Sequence, residues 1–135
     1  MKNILFVASE SVPFIKTGGL ADVVGSLPKS LDREKYDVRI FVPKYGCMKQ
    51  AMKDRLNYKT NFYMDFNWKN VYVGIMEAVV DGITYYFIDN EYYFDRDTIY
   101  GNYDDAERYG FFFFSVLDIM PLIEFYPDIL HTNDW

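Results

Sequence analysis

Residues 4–28, I-L-F-V-A-S-E-S-V-P-F-I-K-T-G-G-L-A-D-V-V-G-S-L-P, decide the fold. Ile4, Leu5, Phe6, Val7 and Ala8 form an unbroken apolar run, the mark of a strand covered on both faces as in a parallel sheet. The loop from Ser9 to Gly19 contains Pro13 and the pair Gly18-Gly19. Leu20, Val23, Val24, Leu27 and Leu31 then recur at helical spacing, a stripe that Pro28 should break into two short helices. Asp37 to Pro43 predicts a second strand closed by its proline. Strand, glycine-containing loop, helix and strand make a βαβ unit, with the right-handed crossover such units take.

Beyond it the pattern changes. Asn61 to Phe66, Val71 to Val80 and Ile83 to Asp89 are rich in β-branched and aromatic residues, and Asp81-Gly82 between the last two is a hairpin signal. An antiparallel insert between the parallel strands is expected. Glu91 to Tyr103 lacks a clean period and is expected as a long ordered loop. Ala106, Tyr109, Phe113, Val116, Leu117 and Met120 predict a helix, with Asp104 and Asp105 at its positive end and Pro121 near its stop. Asp128 to His131 predicts another buried strand. A parallel strand with no helix after it is half of a βα unit, so residues 1–135 are expected to be an incomplete domain.

Composition narrows the function. The length, 135 residues, suits one domain with an ordinary hydrophobic core. The single cysteine, Cys47, precludes an intrachain disulfide and a multi-cysteine zinc site, and is expected as a small apolar filler. Fourteen Lys and Arg against twenty Asp and Glu give a net charge of −6, and no two basic residues are adjacent, which argues against nucleic acid as a partner. No apolar run approaches the ~20 residues of a membrane span, and Ile4 to Ala8 is too short for a secretory signal. The expectation is a soluble cytoplasmic protein with no membrane partner. Aromatic residues make up 20% of the chain, and each ring can serve either as core or as a sugar-stacking face.

The chemistry concentrates in Lys16-Thr17-Gly18-Gly19-Leu20-Ala21-Asp22. In open α/β sheets ligands bind beyond the carboxyl ends of the strands, where the loop after the first strand feeds a helix N-terminus. Two glycines let a ligand approach the backbone, free N–H groups and the helix dipole favour an anion, and Lys16 adds a positive charge. The competing reading is a tight turn and nothing more. Asp95-Arg96-Asp97 is a literal Asp-x-Asp, a pattern that can share a divalent ion, but it lies in a polar aromatic loop without an evident second acidic cluster, so no metal site is assigned. His131, the only histidine, belongs to no triad-like arrangement and is expected to end a strand or fill the core. Tyr92, Tyr93, Tyr100 and Tyr103 are either a sugar platform or loop packing.

These residues resemble a known family. Ala8-Ser9-Glu10, Pro13-Phe14, the run from Lys16 to Gly25 and Leu27-Pro28 are similar to the opening of bacterial glycogen synthases and plant starch synthases. Asp37-Val38-Arg39 with Pro43, Tyr100-Gly101 with Asp104 to Arg108, and Pro127 to Trp135 extend the resemblance over the whole chain. It implies an α/β, Rossmann-like N-terminal domain of a GT-B glycosyltransferase, truncated, with a predominantly parallel sheet and an antiparallel β insert. The C-terminal nucleotide-binding domain is expected to be absent. The implied reaction is glucose transfer from ADP-glucose to the non-reducing end of an α-1,4-glucan such as glycogen, with retention and without metal or cofactor. By the same analogy Lys16 contacts the donor diphosphate or glucosyl region, and Gly18 and Gly19 supply backbone donors. Asp22 lies near the cleft or stabilises the helix start, and Asn133 binds a hydroxyl. No catalytic residue is assigned, the chain alone is expected to be inactive, and neither the nucleotide base preference nor the oligomeric state is legible. Two other classes compete: a noncatalytic carbohydrate-binding module, which has no use for a lysine beside an anion cradle, and a self-contained flavodoxin-like nucleotide-binding domain, against which the unfinished last strand argues.

Overall fold

The computed structural model describes residues 1–132. Its elements are β1 (Lys2–Val7), α1 (Gly19–Ser26), a 3-10 turn (Pro28–Ser30), β2 (Tyr36–Pro43), α2 (Gln50–Lys53), β3 (Asn57–Phe66), β4 (Lys69–Val80), β5 (Ile83–Asp89), α3 (Glu91–Phe94), α4 (Asp105–Ile123) and β6 (Ile129–Thr132). Among the described residues six strands form one sheet in the order β3-β4-β5-β2-β1-β6. The apolar run of β1 is buried because it is central: it pairs in parallel with β2 on one side (Ile4 with Val38) and with β6 on the other (Ile4 with Ile129).

Strand β5 is parallel to β2, with Ile40 opposite Tyr85, and β4 is antiparallel to both of its neighbours, β3 and β5. The insert thus follows β2 in sequence but occupies the sheet edge. Asp81 and Gly82 turn β4 into β5 with φ of 52° and 77°, the doubly positive pair that a two-residue hairpin loop needs. The loop expected from Glu91 to Tyr103 contains the single-turn α3, capped by the Asn90 side chain, which accepts from the Tyr93 N–H at 3.0 Å.

Two helical faces differ from expectation. In α1 the buried residues are Ala21, Val24 and Gly25, whereas Val23 and Leu27 are exposed. A β-carbon on Gly25 would run into the Val12 side chain and approach the Val12 carbonyl oxygen at 3.1 Å, so the helix is pressed onto the preceding loop by its small residues. In α4 the buried face carries Arg108, Phe111, Phe112, Val116 and Ile119, while Phe113 and Leu117 of the expected stripe are exposed. Four consecutive phenylalanines make the helix apolar around its circumference, and such a run carries no phase. Cys47 is exposed rather than a filler, because it lies in the loop between β2 and α2. Strand β6 occupies the sheet's outer position, exposed along its length rather than buried.

Candidate functional site

Successive parallel strands lie on opposite sides of β1, β2 to one side and β6 to the other. In open α/β sheets ligands bind beyond the carboxyl ends of the strands at such a reversal. The loop leaving β1 there enters α1 through Lys16-Thr17-Gly18-Gly19, with Gly18 extended at the N-cap and no side-chain cap on it.

The cradle at this helix start is divided. Glu10, 1% exposed, folds back from the end of β1 and accepts the Gly18 and Ala21 N–H groups on Oε1, each at 3.2 Å. Its Oε2 accepts the Thr17 hydroxyl at 2.5 Å and the Tyr100 hydroxyl at 3.3 Å. The expected pair of glycine donors is therefore narrowed: Gly18 donates inward to Glu10. The N–H groups of Gly19 and Leu20 take no acceptor among the described residues, and nothing lies within 4 Å of the place a Gly19 β-carbon would occupy. Lys16 Nζ forms an ion pair with Asp22, in the first turn of α1, 2.7 Å from Oδ2, with both side chains about half exposed (52% and 54%). Asp22 is the acid of the first turn of α1, so it serves the helix start and the lysine together. Asn133 lies outside the described residues.

A second segment reaches the same point. Tyr100, from the loop before α4, shares a 2.5 Å hydrogen bond with Ser9 Oγ. Its hydroxyl is pushed up to about 12, first by burial and further by the negative charge of Glu10. Tyr45 donates to the Ser9 carbonyl at 2.6 Å and bonds the Tyr109 hydroxyl at 2.9 Å. Arg108, fully buried, holds this loop from beneath: Nε donates to Tyr93 O at 2.6 Å, and Nη1 to Ile99 O at 3.1 Å and Asp105 Oδ1 at 2.8 Å. The Asp105 carboxylate in turn accepts the Gly101 and Asn102 N–H groups at 2.8 and 3.2 Å.

Glu10, Ser9, Tyr45, Tyr109 and Arg108 carry no spacing signal that marks them as parts of one network. The one usable hint is that an acid near a helix start is stabilised there. Of the tyrosine cluster, Tyr93 is buried packing, Tyr100 joins the cradle, and Tyr92 and Tyr103 are exposed. Arg96 within Asp95-Arg96-Asp97 clamps Asp104, through Nη1 to Oδ1 and Nη2 to Oδ2 at 2.9 Å each. His131 stacks on Phe6 in the strand, ring centroids 4.8 Å apart. No helix among the described residues is long and apolar enough to cross a membrane.

The sequence profile of the starch synthase catalytic domain matches residues 3–135. The glycogen synthase of Lachnoclostridium phytofermentans is 52% identical over all of this chain and 28% of its own length. That of Lachnospira eligens is 51% identical with the same coverage. Among solved structures, the catalytic domain of starch synthase IV from Arabidopsis thaliana, bound to ADP and acarbose, superposes with a TM-score of 0.86 at 33% identity, covering 99% of this chain and 28% of that one. The chain thus spans little more than a quarter of the length of the relatives it matches.

Proposed function

Because this chain belongs to the starch synthase catalytic domain family, we propose that residues 1–135 form part of the N-terminal Rossmann-like domain of a cytoplasmic, two-domain GT-B glycogen synthase. The enzyme transfers glucose from ADP-glucose to the non-reducing end of an α-1,4-glucan, with retention at the anomeric carbon. The ADP of the Arabidopsis neighbour supports the donor nucleotide, and its acarbose supports a glucan-like acceptor.

One observation carries this reading: the turn from β1 into α1 holds two helix-start N–H groups without acceptors among the described residues, those of Gly19 and Leu20, together with Lys16, whose ammonium pairs with Asp22 in the first turn of the same helix. Two oriented donors, a helix dipole and a cation suit the diphosphate of a nucleotide sugar. An ammonium ~4 Å from a phosphate oxygen gains about 4 kcal/mol at an effective dielectric of ~20, before desolvation. A half-exposed ion pair such as Lys16–Asp22 is worth about 1 kcal/mol or less, so a diphosphate can draw the lysine from it. Charge on the departing diphosphate rises as the glycosidic bond breaks, and these groups then hold it more strongly than they hold the intact donor. Asp22 stays beside the cleft, and Asn133 is proposed to bind a sugar hydroxyl. No catalytic group is assigned within the chain, and the reading calls for no metal ion or organic cofactor.

The test is transfer of labelled glucose from ADP-glucose to maltoheptaose by the full-length protein, with UDP-glucose in parallel. Extension of the oligosaccharide by α-1,4 bonds is expected, with no activity from residues 1–135 alone. A full-length protein that binds maltoheptaose but never extends it is instead a binding module.

A further inference from the structure

We propose that Glu10 is a positioning residue of the donor site, acting through Thr17 and Gly18 to set the shape of the Lys16–Gly19 turn. The inference rests on the donor-site reading above and deepens it.

A carboxylate at 1% exposure is an expensive side chain. Glu10 enters no ion pair among the described residues, and is held by hydrogen bonds alone: two hydroxyls and two backbone N–H groups, divided between its two oxygens. Packing by itself would be met more cheaply by an apolar group of similar volume. What the carboxylate does is engage the Gly18 and Ala21 N–H groups inside the protein, so that Gly19 and Leu20 are the donors left without an acceptor among the described residues. Thr17, its closest partner at 2.5 Å, lies between the Lys16 ammonium and the glycines, so the same bond fixes the backbone from which both ligand-facing elements project. Tyr100 brings the second segment to the same oxygen across ninety residues of chain.

The charge of Glu10 opposes an incoming anion, so its benefit comes through geometry, and this sets the sign of the test. In Glu10→Gln the side chain keeps one oxygen for the two N–H groups, and its amide can donate to the Thr17 and Tyr100 hydroxyls once these reverse.

In the full-length protein, Glu10→Ala is expected to raise the KM for ADP-glucose at least tenfold while the KM for maltoheptaose stays within twofold. Glu10→Gln should recover most of that loss. Thr17 is exposed, so Thr17→Val tests the same bond without endangering folding. It should raise the donor KM about fivefold, with recovery in Thr17→Ser. Donor KM within twofold of wild type in Thr17→Val, or donor and acceptor KM rising together in Glu10→Ala, overturns the positioning role. A Glu10→Gln variant as impaired as Glu10→Ala overturns it too. These outcomes are read against an active wild-type enzyme. A wild type without transfer refutes the donor-site reading itself, and the role of Glu10 falls with it.

Discussion

Replacing Arg108 by methionine tests how the Tyr100 loop is held against the cradle. The apolar stem of the side chain is kept, while the guanidinium's contacts with the Phe94 and Tyr109 rings, whose centroids lie 5.8 and 5.5 Å from its carbon, are lost with the charge. Three hydrogen bonds are lost, at 2.6, 3.1 and 2.8 Å. Bonds to a charged group contribute about 1.5–3 kcal/mol each, and part of that gain is offset because the buried cation no longer has to be desolvated. A net cost of about 3 kcal/mol falls on the segment between α3 and α4, since Ile99 belongs to it and Asp105 opens α4 immediately after it. Gly101 and Asn102 donate to the same Asp105 carboxylate, so their amides report the loss. At 1.4 kcal/mol per factor of ten, hydrogen exchange of the peptide spanning residues 95–104 should accelerate about a hundredfold in the full-length variant. Arg108→Lys, with one ammonium for three diverging acceptors, should fall between. Exchange within threefold of wild type would refute the clamp.

Gly25→Ala should destabilise the enzyme by about 1–3 kcal/mol and loosen the loop before α1, because the added β-carbon meets the Val12 side chain and carbonyl. Thermal unfolding checks this, and an unshifted midpoint would contradict the close approach. Tyr100 titrates near 12 in the folded protein against 10.0 for a free phenol. Its contribution, about 1–2 kcal/mol once solvent screening at a partly exposed group is allowed for, is therefore complete below pH 10 and lost as pH rises from 10 to 12. Unfolding midpoints followed over that range should fall less steeply in Tyr100→Phe than in wild type, and equal slopes would remove Tyr100 from the buried network.

The sheet centre is readable because its signals are local. An unbroken apolar run at Ile4 to Ala8 has few interpretations, and Asp81-Gly82 carries its turn geometry in its own residue types. The helix faces are less legible. Of the stripe Leu20, Val23, Val24, Leu27 and Leu31, Val24 is buried and Leu20 and Leu31 pack against the core, but Val23 and Leu27 are exposed. Helix α1 meets the preceding loop through Ala21 and Gly25, where close approach to Val12 selects small residues. The four phenylalanines of α4 likewise hide which side is inward. At the site, Lys16 and the glycine pair announce themselves by spacing, whereas Glu10 does not. Its role depends on the chain folding back onto a helix start up to eleven residues later, and on Tyr100 arriving from ninety residues away. Such long-range returns leave no periodic trace.

The most direct measurement is the affinity of the full-length enzyme for ADP, by titration calorimetry, in wild type and in Lys16→Ala. At least a tenfold loss, about 1.4 kcal/mol, is expected, with unchanged maltoheptaose binding. Equal ADP affinity in the two proteins would place the diphosphate elsewhere and contradict the donor-site reading.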